Sequence, residues 1–306
     1  MPRAYVFHRF GGPEAESFAD LPRPVPGPGR LLVAVRAAGV NPADWKRREG
    51  LRPPTEPEPR FPAVFGREAA GVVAEVGEGV TGFAVGDEVF GHPDGGSYAE
   101  YALLPADAAA RKPPQVSFAD AATLPVAAGT AWDGVRQLDL PRGATLLVNG
   151  AGGGVGTATV QIAVHEGLRV IGTASAAKKD FVESLGAVHV ASGPDVAHRV
   201  RAVAPDGVDA VYDLVGGEPL REVAALAADP ARVVSVADKA AVVALGGSAV
   251  VRERSTRALE AVVRLVAEGA LDPFVTRTFP LDQADLALRA VEEGHTRGKV
   301  VIKVSP

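Results

Sequence analysis

Residues 146–163 read LLVNGAGGGVGTATVQIA, and the fold turns on how this stretch is read. An apolar run of strand length begins at Thr145 and ends at Asn149, glycines crowd positions 150–156, and from Val155 onward apolar residues recur at helical spacing. Strand, tight turn and helix in that order are the context in which a glycine cluster binds phosphate. Ala151, Gly153 and Gly156 occupy the three places of a G-x-G-x-x-G spacing, with alanine in the first, while Gly152, Gly154 and Val155 complete the turn and open the helix. The absence of a side chain at Gly153 lets the backbone approach a pyrophosphate, and its absence at Gly156 lets the helix pack tightly on the strand. The front of the helix then offers free N–H groups and the positive end of its dipole to the phosphates. The alternative is a glycine-rich turn that binds nothing.

The next strand ends Gly172-Thr173-Ala174-Ser175. About twenty residues after the glycines, sites specific for NAD place an acidic residue on the adenosine ribose. Here Ala174 stands in that place, followed by Ser175, Lys178 and Lys179, a set suited to a 2′-phosphate, so NADPH is the expected cofactor. A solvated helix face is the other reading of the two lysines.

Outward from this unit, short apolar runs alternate with helical patterns from about Ala119 to Leu271, the rhythm of a parallel α/β sheet. Strands are expected at Thr145 to Asn149, Arg169 to Ala174, Val188 to Ala191, Val208 to Asp213 and Arg232 to Val236, with helices starting near Val155, Ala177, Val196, Pro219 and Thr256. Before Pro114 the segments are strand-like: Arg3 to His8, Arg30 to Ala38, Ala70 to Val76, Asp87 to Phe90 and Tyr98 to Leu104. Leu51 to Pro62 is proline-rich and reads as an exposed loop and candidate lid. Asp282 to Glu293 reads as helix and Lys299 to Val304 as a strand returning to the first lobe.

The chain has 306 residues, long enough for two lobes. A net charge of −5 gives no reason to expect nucleic acid or anionic membrane as a partner, which leaves small molecules. No cysteine is present, which removes disulfides, thiolate nucleophiles and thiolate zinc sites. Gly143 to Val164 lacks charge, but its glycines, Asn149, Thr157, Thr159 and Gln161 argue against a membrane span. Met1 to Gly12 lacks the apolar core of a secretory signal, so a cytoplasmic location is expected.

Further stretches resemble, in order, the medium-chain dehydrogenase/reductase superfamily and within it the zinc-independent quinone oxidoreductases, including crystallin-type members. They are AGVNPADWKRREG (38–50), GREAAGVVAEVG (66–77), GDEVFG (86–91), GGSYAEY (95–101), AATLPVAAGTAW (121–132), GVDAVYDLVGG (207–217) and GKVVIKV (298–304). The resemblance implies an α/β chain. A GroES-like β-rich catalytic domain from residues 1–120 and 272–306 would accompany a Rossmann, doubly wound parallel-sheet domain over 121–271, with the active site in the cleft. A homodimer is the implied assembly.

Zinc-dependent members place a cysteine where this chain has Asn41 and a histidine where it has Arg67, followed by glutamate, here Glu68. No metal is therefore expected, and His92, His165 and His295 show no ligand spacing. What remains is hydride transfer from a nicotinamide to a quinone or an α,β-unsaturated carbonyl. By resemblance, Asn41 lies beside the nicotinamide and hydrogen-bonds substrate oxygen or ribose, or else is a turn residue before Pro42. Asp44 lies nearby or caps the following turn. Lys46, where many quinone reductases have tyrosine and enone reductases often have lysine, holds ribose or a developing enolate, or else joins Arg47 and Arg48 in an exposed basic run. Thr130 contacts the nicotinamide side or else is an ordinary polar helix residue, and Val215, Gly216, Ser235 and Val236 match stretches lining the cofactor site. Arg297 and Lys299 lie near it or serve at the surface. An enoyl-thioester reductase and a non-catalytic, NADPH-binding sensor or structural protein are the alternatives.

Overall fold

The computed structural model describes residues 1–52, 57–294 and 296–305; the tip of the expected loop (Pro53 to Glu56) and His295 lie outside them. Contacts divide the chain into one unit of Met1–Val126, Arg254–Ala267 and Phe274–Pro306 and another of Ala127–Glu253 and Glu268–Pro273. The helix Thr256–Ala267, which the sequence reading puts in segment 121–271, groups with the first unit. Its Thr256 hydroxyl donates there to the carbonyls of Ala109 at 2.8 Å and Ala106 at 3.3 Å.

The second unit is built on a parallel sheet. Its described strands run in the order Val188–Ala191, Arg169–Ala174, Thr145–Asn149, Ala210–Asp213, Val233–Ser235, Ser248–Ala249. Counted along this unit that order is 3-2-1-4-5-6, the doubly wound pattern. Leu146, Leu147 and Val148 are all fully buried, as strands covered by helices on both faces require. Leu147, Ile171, Val211 and Val233 pack with Val196, Val200, Leu220, Val223 and Val242 of the helices. The order reverses between Thr145–Asn149 and Ala210–Asp213, so the carboxyl ends at Asn149 and Asp213 mark the crevice where such sheets take ligands.

In the first unit the strand Arg30–Val40 pairs antiparallel with three partners, Ala69–Val76, Tyr101–Pro105 and Lys299–Lys303. A smaller sheet sets Arg3–Phe7 between Glu16–Asp20 and Ala63–Val64. The helix Ala284–Glu292 buries Ala284, Ala287, Leu288 and Val291 against Phe7, Val40, Val300 and Ile302. Pro42–Arg48, expected only as a turn, is a helix, and the strand expected from Tyr98 starts at Tyr101. Leu51, Pro57, Glu58, Arg60, Phe61 and Pro62 are exposed, in keeping with a surface loop. Among the described residues no helix is long and apolar enough to cross a membrane.

Arg48 corrects the reading of an exposed basic run. It is 1% exposed, and its guanidinium pairs with Glu16, with Glu292 at 2.8 Å and with the Gly11 carbonyl at 3.1 Å. It thereby ties the helix Pro42–Arg48 to both the N-terminal hairpin and the helix Ala284–Glu292.

Candidate active site

In the second unit the strand Thr145–Asn149 ends in a turn pinned to its neighbour: the amides of Gly150 and Ala151 donate to the Thr173 carbonyl at 3.2 and 2.9 Å. Gly150 has φ +98°, which glycine adopts without strain. Gly153 caps the twelve-residue helix Gly154–His165 with extended backbone. The two fingerprint glycines differ physically. A Cβ at Gly156 would sit 2.2 Å from the Gly150 carbonyl oxygen and 2.7 Å from Ala151 Cα, so its bareness serves helix–strand packing. A Cβ at Gly153 would meet nothing closer than 3.9 Å, so the space above it is open. Gly154 and Val155 begin the helix, whose first amides lack intrahelical acceptors and receive no side-chain cap from Gly153.

Ala174, 6% exposed at the end of its strand, lies beside the turn, its Cβ 3.5 Å from where a Gly152 Cβ would stand. Lys178 reaches back so that its Nζ donates to the Gly152 carbonyl at 3.1 Å, which brings a cation onto the turn. Ser175 is exposed. Lys179 is exposed as well and pairs with Glu183 four residues on at 2.5 Å, so of the two lysines only Lys178 meets the glycine turn.

A polar chain that sequence reasoning missed runs across the carboxyl ends of four adjacent strands. The Thr173 hydroxyl donates to Asn149 Oδ1 at 2.7 Å and Asn149 Nδ2 to Asp213 Oδ1 at 2.8 Å, while the Ser235 hydroxyl donates to Asp213 Oδ2 at 2.6 Å. Asp213 also receives the amides of Val215 at 3.2 Å and Gly216 at 3.1 Å, and its carbonyl receives the Val236 amide at 3.1 Å. One buried carboxylate therefore sets the Val215-Gly216 and Ser235-Val236 loops, both expected at the cofactor. Val215 is exposed and Gly216 has φ +78°. Thr130, elsewhere in this unit, is 3% exposed; its hydroxyl accepts from Arg252 at 2.5 Å and its carbonyl from Tyr212 at 2.6 Å. Arg252 in turn pairs with Asp133 at 2.7 Å, a carboxyl that burial holds above the usual range.

In the first unit Asn41 ends the strand Arg30–Val40 and opens the helix Pro42–Arg48. Its Nδ2 donates to Glu68 Oε1 at 2.8 Å and its Oδ1 accepts from Lys299 Nζ at 2.6 Å. Lys299 Nζ also reaches Glu68 Oε1 at 3.0 Å and the Val40 carbonyl at 3.2 Å. Lys299 is 4% exposed, which corrects the surface alternative, and its three ammonium hydrogens are matched by these three acceptors rather than by a phosphate. Asp44 Oδ2 receives the backbone N–H of Asn41 at 2.8 Å and the Tyr98 hydroxyl at 2.7 Å. Burial pushes the Asp44 carboxyl up to about 6 against those hydrogen bonds, and burial together with Asp44 raises the Tyr98 phenol. Lys46 is exposed, its Nζ 5.6 Å from the Trp45 ring centre. Arg297 is exposed too, its carbonyl receiving the Thr276 hydroxyl at 2.6 Å. The fold thus brings Asn41, Asp44 and Lys299 together and leaves Lys46 on the outer side of its helix. Glu68, buried and central to the cluster, carries no local signal beyond its place after Arg67.

Among the described residues no group of three or more histidine, aspartate or glutamate side chains is disposed to hold a metal ion. Residues 27–114 match the alcohol dehydrogenase GroES-like domain, and residues 185–302 match the family described as zinc-binding dehydrogenase. The chain is 34% identical over 297 residues to the 2-methylene-furan-3-one reductase of Solanum lycopersicum, covering 90% of this chain and 72% of the relative. It is 35% identical over 299 residues to polyketide synthase GfsB of Streptomyces halstedii, covering 91% of this chain but only 5% of that much longer protein. The solved quinone oxidoreductase from Coxiella burnetii shares 30% identity with a TM-score of 0.88, covering 99% of both chains. Mycobacterial Rv1454c, solved in complex with NADPH, shares 30% identity with a TM-score of 0.87, covering 99% of this chain and 100% of its own. A GroES-like unit, a doubly wound parallel sheet and these similarities together establish the chain as a quinone oxidoreductase-like member of the medium-chain dehydrogenase/reductase family, an oxidoreductase built around a nicotinamide nucleotide.

Proposed function

We propose that this chain is an NADPH-dependent reductase that delivers hydride to a quinone or an α,β-unsaturated carbonyl without a metal. The observation that carries the reading is the cradle of the second unit: open space at Gly153, the amides opening the helix Gly154–His165, an apolar Ala174 where an NAD site carries an acid, and Lys178 on the Gly152 carbonyl. Those amides would hold the pyrophosphate, and Ala174 with Ser175 and Lys178 would accept the 2′-phosphate. When bound, the reduced nicotinamide supplies the hydride, and solvent water would supply the proton that neutralises the resulting oxyanion. The NADPH complex of the mycobacterial relative supports the choice of nucleotide.

The chain's own residues would orient the acceptor and hold its oxygen as negative charge develops. Asn41 is the residue suited to that task, a side-chain amide fixed on two sides by Glu68 and Lys299. The solved quinone oxidoreductase supports quinones as acceptors, and the tomato relative, whose name describes an alkene beside a ketone, supports enones. Loss of NADPH absorbance against ortho-quinones, enones and enoyl thioesters, with calorimetry for NADPH and NADH, tests the proposal. Turnover of quinone or enone with a preference for NADPH is the expected result. Tight NADPH binding with no turnover across the panel would refute the enzymatic reading, and binding of neither nucleotide would refute the cradle.

A further inference from the structure

The Asn41 amide is held by two partners that tolerate only one orientation. An ammonium has hydrogens and no acceptor, so the atom facing Lys299 at 2.6 Å is the amide oxygen. An ion-paired carboxylate offers only acceptors, so the atom facing Glu68 at 2.8 Å is the amide nitrogen. Both partners are themselves fixed. Lys299 has its other two hydrogens on Glu68 at 3.0 Å and Val40 at 3.2 Å, and Glu68 Oε2 receives the Val126 amide at 2.7 Å. Gly39 makes the room, since a Cβ there would fall 2.0 Å from Glu68 Oε1 and 2.6 Å from the Ala122 carbonyl. With these bonds made, the amide nitrogen retains one N–H that has no partner among the described residues. A buried pair of this kind is weak as a source of stability and well suited to enforcing one arrangement.

We propose that Glu68 and Lys299 are positioning residues that orient the Asn41 amide so that its second N–H, and not its oxygen, is presented to the acceptor's carbonyl oxygen. The proposal rests on Asn41 serving the acceptor, as argued above, and extends it to two residues 231 apart in the chain. The discriminating variant combines Glu68→Gln with Lys299→Met. It removes both charges of the pair together and so strands neither, and the new glutamine donates to the Asn41 oxygen while its own oxygen keeps the Val126 amide, which turns the Asn41 side-chain amide over.

Kinetics with the best acceptor, NADPH affinity and Tm are compared for the wild type, Asn41→Ala, the double variant and the triple variant. Expected is a loss in kcat of about 100-fold in the double variant, the cost of removing one oriented donor, with NADPH affinity held within about twofold. The triple variant should then be no slower than Asn41→Ala by more than about threefold, because all three side chains act through one amide. A double variant with wild-type kcat, or losses that multiply in the triple variant, would overturn the proposal while leaving the Asn41 role intact. An Asn41→Ala enzyme with unchanged turnover would overturn both. Should the double variant not fold, Asn41→Asp decides: it keeps the Lys299 contact, shares one proton with Glu68 in place of the N–H donated at 2.8 Å and offers the acceptor no N–H, so kcat must fall as far as in Asn41→Ala, and retained turnover overturns the proposal.

Discussion

Substituting alanine at Gly153 and at Gly156 separates the two tasks of the glycine turn. At Gly156 the new Cβ would stand 2.2 Å from the Gly150 oxygen and 2.7 Å from Ala151 Cα, both backbone atoms. Ordinary carbon–oxygen contact is about 3.3 Å, so helix and turn must part by about 1 Å. Forced repacking of this kind costs about 1–3 kcal/mol, more when backbone is the obstacle, against roughly 1 kcal/mol gained by placing alanine in a helix. The clash wins, with a net loss of about 2 kcal/mol and a fall in Tm of several degrees. At Gly153 the nearest atom is 3.9 Å away and φ is −94°, so alanine is accommodated and stability should change by less than about 0.5 kcal/mol. The same methyl would enter the space proposed for the pyrophosphate, and NADPH affinity should then fall by at least about tenfold. Urea denaturation and calorimetry on both variants give the four numbers needed. A Gly156→Ala protein as stable as wild type would refute the packing argument, and a Gly153→Ala protein with unaltered affinity would refute the assignment of the cradle.

Ala174→Asp should shift preference toward NADH, because a carboxylate there repels the 2′-phosphate; an unchanged ratio of NADPH to NADH affinities would show that the specificity determinant lies elsewhere. Asp213→Asn places an N–H₂ among donors from Asn149, Ser235 and Gly216, and should destabilise the protein by about 1–3 kcal/mol while weakening NADPH binding; loss of neither would remove the strand-end network from the account. Asp44 has its carboxyl raised from 3.8 to about 6, so the folded chain holds this proton more tightly than the unfolded chain. Its contribution to stability is therefore lost as pH rises through that interval and is constant above it. Asp44→Asn abolishes this loss, and the variant should gain on the order of 2–3 kcal/mol relative to wild type between about pH 4 and pH 7 in paired denaturation curves. A difference independent of pH would refute the burial argument.

The central sheet was legible because parallel strands covered on both faces must be apolar runs. Thr145–Asn149, Arg169–Ala174 and Val188–Ala191 stand in the sequence as they stand in the fold. The helix Pro42–Arg48 was not legible: seven residues are too few for a period, and its buried side chains are the polar Asp44 and Arg48. Val275–Pro280 is largely exposed and Ser248–Ala249 has two residues, so neither shows alternation. The site was half visible. The glycines announce themselves because their reason is local, whereas the Glu68–Lys299 pair and the Asn149–Asp213 contact depend on register between distant strands, which no short window contains.

The strand Lys299–Lys303 lies beside Arg30–Val40, within the sheet rather than at its margin. During synthesis, the second unit's sheet has emerged by Ala249, while the first unit still waits for the closing stretch of chain to take its seat. A ribosome that stalls after residue 273 would therefore display a nascent chain whose early half carries an unpaired, apolar strand edge, the kind of surface that chaperones capture.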